Sequence, residues 1–318
     1  MSGSIPSLIA KRIAVAALTL LLVSMIVFSI TSLLPGDAAQ ALLGQNATPA
    51  ALAALRAQLG LDQPAIIRYL HWLGGLLTGH PGRSLSDGLP VGVLIGKRLP
   101  ESLLLAGLTT AVSVPLALAL GIVAAMYRGS WLDRALTITT LSMVAVPEFL
   151  VATAGVLIFA VELHWLSALT FVLDHPTLGQ LLRGYTLPVV SLCFAVTAQM
   201  ARMTRAAVID QLNQPYAEMA ALKGVGLSRR VLVHALPNAV GPIANAIALS
   251  LSYLLGGAII VETIFDYPGV ARLMVDAVSN RDMPVLQACA MIFSAGYLGL
   301  VLIADVCSIL SNPKLRRS

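Results

Sequence analysis

The sequence predicts an all-α polytopic membrane protein, and three observations lead there. Of its 318 residues 58% are hydrophobic and only 11% charged, roughly half the charge share of a soluble domain. Six apolar runs approach or exceed the ~20 helical residues needed to cross a hydrocarbon core about 30 Å thick. Prolines 115, 147, 188, 237 and 242 fall within or at the ends of these runs, a placement membrane helices tolerate because neighbours or a wet path satisfy the freed backbone groups.

The first run, Ile13 to Leu34, follows Lys11 and Arg12 as a secretory signal would. Its length exceeds the ~7–15 residues of a signal core, so residues 1–34 read as a cytoplasmic segment and a retained span. Residues 35–98 form the largest hydrophilic region. Within it Thr48-Pro49 is a helix start, Ala51, Leu52, Leu55 and Leu59 share a face, and Gly60 is a stop. We expect a small helical extracytoplasmic region there, with the Asn46-Ala47-Thr48 sequon fortuitous. The remaining spans, approximately Ser102 to Tyr127, Ala135 to Val161, Tyr185 to Ala201, Ala235 to Val261 and Pro284 to Ala304, belong to a core at 99–310, followed by a tail at 311–318.

Orientation follows from basic residues near span ends. With the N-terminus in the cytoplasm, twelve of the twenty Lys and Arg lie inside, among them Arg128, Arg134, Arg202, Arg205, Lys223, Arg229 and Arg230. Lys97 and Arg98 run against that bias. Both termini are therefore expected in the cytoplasm. The net charge of +5 is scattered between apolar segments rather than gathered on one face, which argues against nucleic acid as a partner.

The chemistry-bearing residues are few. Cys193, Cys289 and Cys307 lie in apolar runs without paired spacing, and the five histidines include no pair at helical spacing, so neither disulfides nor a metal site is indicated. Gly92, Gly96 and Lys97 resemble a phosphate loop, but three residues separate the glycines where four are needed, and Arg98 follows the lysine where Ser or Thr belongs. No hydrolase motif is present, so the chain is expected to bind no ATP and catalyse no reaction itself. Glu148, in "VAVPEFLVA" near the middle of the third run, stands out because an ionisable group there is costly and marks a functional position. A translocation path, an interhelical hydrogen bond, a subunit interface and proton coupling all remain open for it.

A second unusual stretch is "QPYAEMAALKGVGLSRRVLVHALPNAVGP", Gln214 to Pro242. In a helix, Ala217, Ala220, Ala221 and Gly224 fall at i, i+3, i+4 and i+7, a face without bulk that lets another surface approach closely. Glu218 and Lys223 lie opposite, and "GVG" ends the helix before a second one starts at an angle. The segment is either a knob for a soluble partner or a short interfacial connection.

Its spacing resembles the EAA loop of permeases from binding-protein-dependent ABC importers. Glu218, Met219 and Ala220 stand at Glu-Ala-Ala, Gly224 at the glycine, His234 at a usually aliphatic position, and Leu236-Pro237 at Leu-Pro; Met219 and His234 are departures. "RAQLGLDQP", "PVGVLIGKRLPESLLLA", "ARMTRAAVID", "GGAIIVETIFDYPGVARLMVDAVSNRDMPVLQA" and "NPKLRR" extend the resemblance over nearly the whole chain, to the first permease of the dipeptide/oligopeptide/nickel type. His80-Pro81 and Asn312 depart from that pattern. The resemblance implies a type I ABC importer permease fold with six transmembrane helices in a bacterial inner membrane. Its implied partners are a second homologous permease, two cytoplasmic ATPases that bring ATP and Mg, and an extracytoplasmic substrate-binding protein. It also implies a coupling loop at 206–234 in which Ala217, Glu218, Ala220, Ala221, Lys223, Gly224, Gly226, Arg229 and Arg230 meet an ATPase. Outside that family, a stand-alone ion-coupled transporter using Glu148, or a non-transporting docking protein, remain as alternatives.

Overall fold

The computed structural model describes residues 5–33, 48–58, 62–170 and 177–311. Asp37, the Asn46 sequon site, Leu59, Gly60, His175 and the tail from Asn312 lie outside them. Among the described residues eleven helices follow in order. They are α1 (Ile5–Leu33), α2 (Pro49–Gln58), α3 (Ala65–Leu77), α4 (Val91–Met126), α5 (Trp131–Ala145), α6 (Glu148–Glu162), α7 (Leu178–Leu212), α8 (Pro215–Leu222), α9 (Leu227–Ile264), α10 (Val270–Ser279) and α11 (Met283–Ser311). An isolated antiparallel bridge joins Arg83 and Pro90.

Helices α1, α4, α7, α9 and α11 are each long and apolar enough to cross a membrane. The third predicted span departs from expectation: it is the pair α5 and α6, bent by 91°. Local sequence explains the break. Proline disfavours the α region for the residue before it, and both Val146 (φ −85°, ψ 124°) and Pro147 (φ −60°, ψ 137°) are extended. Glu148 thus begins a new helix instead of occupying mid-span, where the negative carboxylate suits the positive end of the helix. The helices of the other spans are longer than the predicted spans; α7, at 35 residues, is ~52 Å long at 1.5 Å per residue.

The described chain divides into two compact units. The larger comprises Met1–Ala16, Leu104–Tyr267 and Tyr297–Ser318. Its centre is α7, whose buried Leu192, Val196, Met200 and Val208 supply a continuous apolar seam. Thr177 begins the helix with a capping box: the Gln180 amide donates to its hydroxyl at 3.4 Å, while the Thr177 amide donates to Gln180 Oε1 at 2.9 Å. Tyr185 and Tyr267 pack edge to face, 5.8 Å between ring centres. Where α4 crosses α7, only glycine fits, because a Cβ on Gly121 would stand 2.6 Å from the Ala201 carbonyl oxygen and 2.7 Å from Thr204 Cβ.

The smaller unit comprises Ala17–Leu103 and Pro268–Gly296. Val91, Ile95, Val270, Leu273, Val285 and Cys289 form its apolar core. Thr48 starts α2 as expected, its hydroxyl accepting from the Ala51 amide at 3.3 Å. Amphipathic α3 fixes itself to α1 through the Phe28, Tyr69 and Trp72 rings and a 2.8 Å bond between the Ser24 and Tyr69 hydroxyls. Asp282 is buried yet fully engaged: Oδ2 accepts from the hydroxyls of Ser84 (2.5 Å) and Ser86 (3.0 Å), and Oδ1 accepts from the Val285 amide (3.4 Å) at the start of α11. The phosphate-loop lookalike is no loop, since Gly92 to Arg98 lie in the first turns of α4.

Candidate coupling helix and intramembrane cavity

Two features of the larger unit answer to the residues singled out in the sequence. The first is α8, set off from α7 by Asn213 and Gln214. Pro215 occupies its first position, where the missing N–H would have no helical partner anyway. Its other end is a complete Schellman motif. The Val225 amide donates to the Ala220 carbonyl at 3.1 Å and the Gly224 amide to the Ala221 carbonyl at 2.9 Å, with Gly224 at φ +76°. A Cβ at Gly224 would meet nothing within 4 Å. Within this chain the glycine therefore serves the backbone turn.

The orientation of α8 corrects the expectation of an open alanine face. Ala217 is 1% exposed and Ala220 8%, and Ala221 is half-buried; the small residues seat the helix against its own chain. That assignment has a simple cause, because small side chains let two backbones approach. Outward-facing instead are Met219 (54% exposed), Leu222 (78%) and Tyr216, together with Glu218 and Lys223. The last two make no ion pair among the described residues. The Tyr216 hydroxyl donates to Gln211 Oε1 at 2.8 Å, tying α8 back to the last turn of α7.

Beyond the turn, Gly226 and Arg229 are exposed and Arg230 is half-buried. Residues Arg230–Ala235 widen into a π-helical turn immediately before Leu236-Pro237. A proline ring clashes with the carbonyl four residues back, and widening the preceding turn is one way to relieve that clash while the helix continues. His234 occupies this widened turn, its carbonyl accepting from the Asn238 side-chain amide at 2.8 Å.

A polar clasp lies near α8 that the sequence did not single out. Arg205 Nε and Nη2 donate to Asp133 Oδ1 and Oδ2 at 2.7 and 2.8 Å. Asp133 also accepts from the Gly129 amide at 2.9 Å. The forked pair holds the first turn of α5 on α7. Arg128, at the end of α4, donates to Asn213 Oδ1 at 3.3 Å, so α4 and α5 are both fastened near the base of α8.

The second feature is a cavity of about 270 Å³ lined by Val144, Glu148, Ala195, Val196, Gln199, Ser250 and Tyr253. Its walls are α5, α6, α7 and α9. Glu148 enters it because the break at Pro147 directs α6 toward α9, and because Gly257 leaves room: a Cβ there would collide with the Glu148 carboxylate. Glu148 makes no ion pair or hydrogen bond among the described residues. Ser250 Oγ is wholly buried and also without a partner. Gln199 Oε1 accepts from Arg202 Nη2 at 2.5 Å. Of the cavity-lining residues Glu148 was marked by the sequence, as an ionisable group near the middle of the third apolar run. Gln199, Ser250, Tyr253 and Gly257 carry no local signal, since their role depends on which face of α7 and α9 meets the bend.

Comparison with known proteins agrees with this architecture. The family described as "Binding-protein-dependent transport system inner membrane component" matches residues 117–317, and the N-terminal region of the same class of membrane component matches residues 6–102. A probable peptide ABC transporter permease protein, y4tP, of Sinorhizobium fredii is 32% identical over 97% of this chain and 98% of its own length. Glutathione transport system permease protein GsiC of Escherichia coli O6:H1 is 36% identical over 96% of this chain and 97% of its own. GsiC of Salmonella choleraesuis is similar to the same extent. The long apolar helices and these full-length matches agree, and the chain belongs to the family of binding-protein-dependent transport system inner membrane components as a permease component of an ABC importer.

Proposed function

We propose that this chain forms, with a second homologous permease, the membrane path of an importer for peptides or related small solutes, and that α8 couples it to a cytoplasmic ATPase. The names of the peptide and glutathione permeases similar to it support that cargo class. An extracytoplasmic binding protein would deliver the cargo, and two ATPases would supply the energy with ATP and Mg. Both termini and α8 would lie in the cytoplasm, as the distribution of Lys and Arg favours.

The observation that carries the coupling role is the outward face of α8. Leu222, Met219 and Tyr216 are exposed on a short helix held by its C-terminal turn, the bond from Tyr216 to Gln211 and the buried Ala217 and Ala220. Apolar anchors rimmed by charge are what a protein partner buries at the centre of an interface. Glu218, Lys223, Gly226, Arg229 and Arg230 surround them as rim contacts, while Ala217, Ala220, Ala221 and Gly224 shape the helix from behind. ATP binding would close the ATPase pair and move α8. The clasp from Arg205 to Asp133 would pass that movement to the bent span and the cavity beside it.

The test is purification of the tagged chain from its native membrane in mild detergent. We expect a second permease and ATPases to accompany it, with ATP hydrolysis in the preparation. In a Met219→Glu/Leu222→Glu double variant the second permease should remain while the ATPases are lost. Retention of coupled hydrolysis by that variant would overturn the role given to α8. A homomer lacking ATPase activity would overturn the proposed assembly.

A further inference from the structure

We propose that the α5–α6 bend builds a subsite for the ammonium group of the cargo, with Glu148 as its counter-charge and Ser250 as its neutral acceptor. This rests on reading the cavity as part of the transport path, and it goes further by specifying what part of the cargo sits there. A carboxylate inside a membrane domain is costly unless a cation faces it or water reaches it. Glu148 has neither an ion-pair nor a hydrogen-bond partner among the described residues, and Arg202 on α7, which bonds the lining residue Gln199, makes no ion pair with it. That guanidinium is turned to Gln199 Oε1 at 2.5 Å.

The surroundings are those of a built site. Of the three glycines on α9, Gly257 is the one where a side chain would strike the carboxylate, so the space around Glu148 is set by the sequence. Ser250 Oγ, wholly buried and unpartnered, lies in the same wall and has lone pairs for an N–H donor. Ala195, Val196 and Val144 leave the remaining lining apolar. A primary ammonium offers three donors on one compact charge, which this pair of acceptors suits better than a planar guanidinium. The cavity, at about 270 Å³, falls just under the ~300–1,000 Å³ of sites that enclose a whole drug-sized ligand. It accommodates the amino end of a cargo and leaves the rest to the wider path.

The experiment uses the complex isolated through the tagged chain and returned to lipid nanodiscs. Glu148 is labelled with dicyclohexylcarbodiimide, to whose central carbon carboxyl groups in apolar surroundings add, and the label is quantified by mass spectrometry with Glu162 as internal control. Labelling is timed alone, with alanylalanine, and with N-acetyl-alanylalanine. We expect the free dipeptide to slow Glu148 labelling at least threefold, the acetylated one to leave it unchanged, and Ser250→Ala to reduce the protection. Equal effects of the two dipeptides, or none from either, would overturn the subsite. So would a Glu148 that never labels while Glu162 does, because a protein cation would then already occupy it. ATPase subunits and ATP-driven uptake are assayed in the same preparation. Their absence would count against the importer assembly alone, whereas unselective labelling in an active complex would count against the subsite alone.

Discussion

Arg205 grips Asp133 with two hydrogen bonds of 2.7 and 2.8 Å, one to each carboxylate oxygen. Asp133 is 5% exposed, so removing its partner leaves a buried charge uncompensated. For a wholly buried pair that costs ~3–5 kcal/mol; the partial exposure of Arg205 brings the expectation for Arg205→Ala to about 2 kcal/mol. Lysine keeps the charge and loses the fork, so Arg205→Lys should fall between. Thermal unfolding in detergent checks the order wild type, Lys, Ala; equal midpoints for all three would mean the clasp carries no load.

Gly224 makes a different demand. At φ +76° a residue with a Cβ pays about 1–2 kcal/mol, and asparagine pays less than alanine. With open space around the position, size alone has little effect. ATPase retention during purification should therefore rank Gly224, then Asn, then Ala, with Gly224→Glu no better than Ala. A ranking by side-chain volume, with Ala close to wild type and Glu alone defective, would return the glycine to a contact role.

Much of this architecture could be read from sequence because lipid imposes long uninterrupted apolar helices, and those leave a plain signal in runs such as Ile13 to Leu34. The bend at Val146-Pro147 was only half legible. Pro147 announced a breaker, yet prolines 188 and 242 are carried inside continuous helices, and nothing local separates the two outcomes. On α8 the alanine spacing identified a smooth face, but spacing cannot say whether such a face turns to a partner or to the chain's own helices. The cavity lining was illegible for a related reason: Gln199, Ser250 and Gly257 become neighbours of Glu148 only through the crossing of α7 and α9 with the bent span.

Gly121 sets how close α4 and α7 come. A methyl group there would lie 2.6 Å from the Ala201 carbonyl oxygen, which is backbone and cannot turn aside. Overpacking of this kind costs ~1–3 kcal/mol. Gly121→Ala should lower the unfolding midpoint, and Thr204→Ala, which removes Cγ2 at 2.9 Å, should recover only part, since the Ala201 oxygen and the Cβ of residue 204 both remain. Full recovery in the double variant would assign the close approach to the Thr204 side chain.

Gly257 and Glu148 form the pair most open to a double-mutant cycle. The three atoms nearest a Cβ on Gly257 all belong to the Glu148 carboxyl group, and it collides with them. Gly257→Ala should therefore cost ~1–3 kcal/mol in the wild-type background and much less when Glu148 is already alanine, because the obstacle is gone. Coupling between contacting residues runs to ~0.5–3 kcal/mol, large enough to read from unfolding midpoints. Uptake gives a second reading. Glu148→Gln retains the volume and should reduce transport only in part, whereas Gly257→Ala, which keeps the charge but displaces it, should reduce transport at least as much. If Gly257→Ala proves silent in both measurements while Glu148→Gln abolishes uptake by an intact, ATP-hydrolysing complex, the carboxylate acts from another position and the ion-coupled use of Glu148 regains its standing.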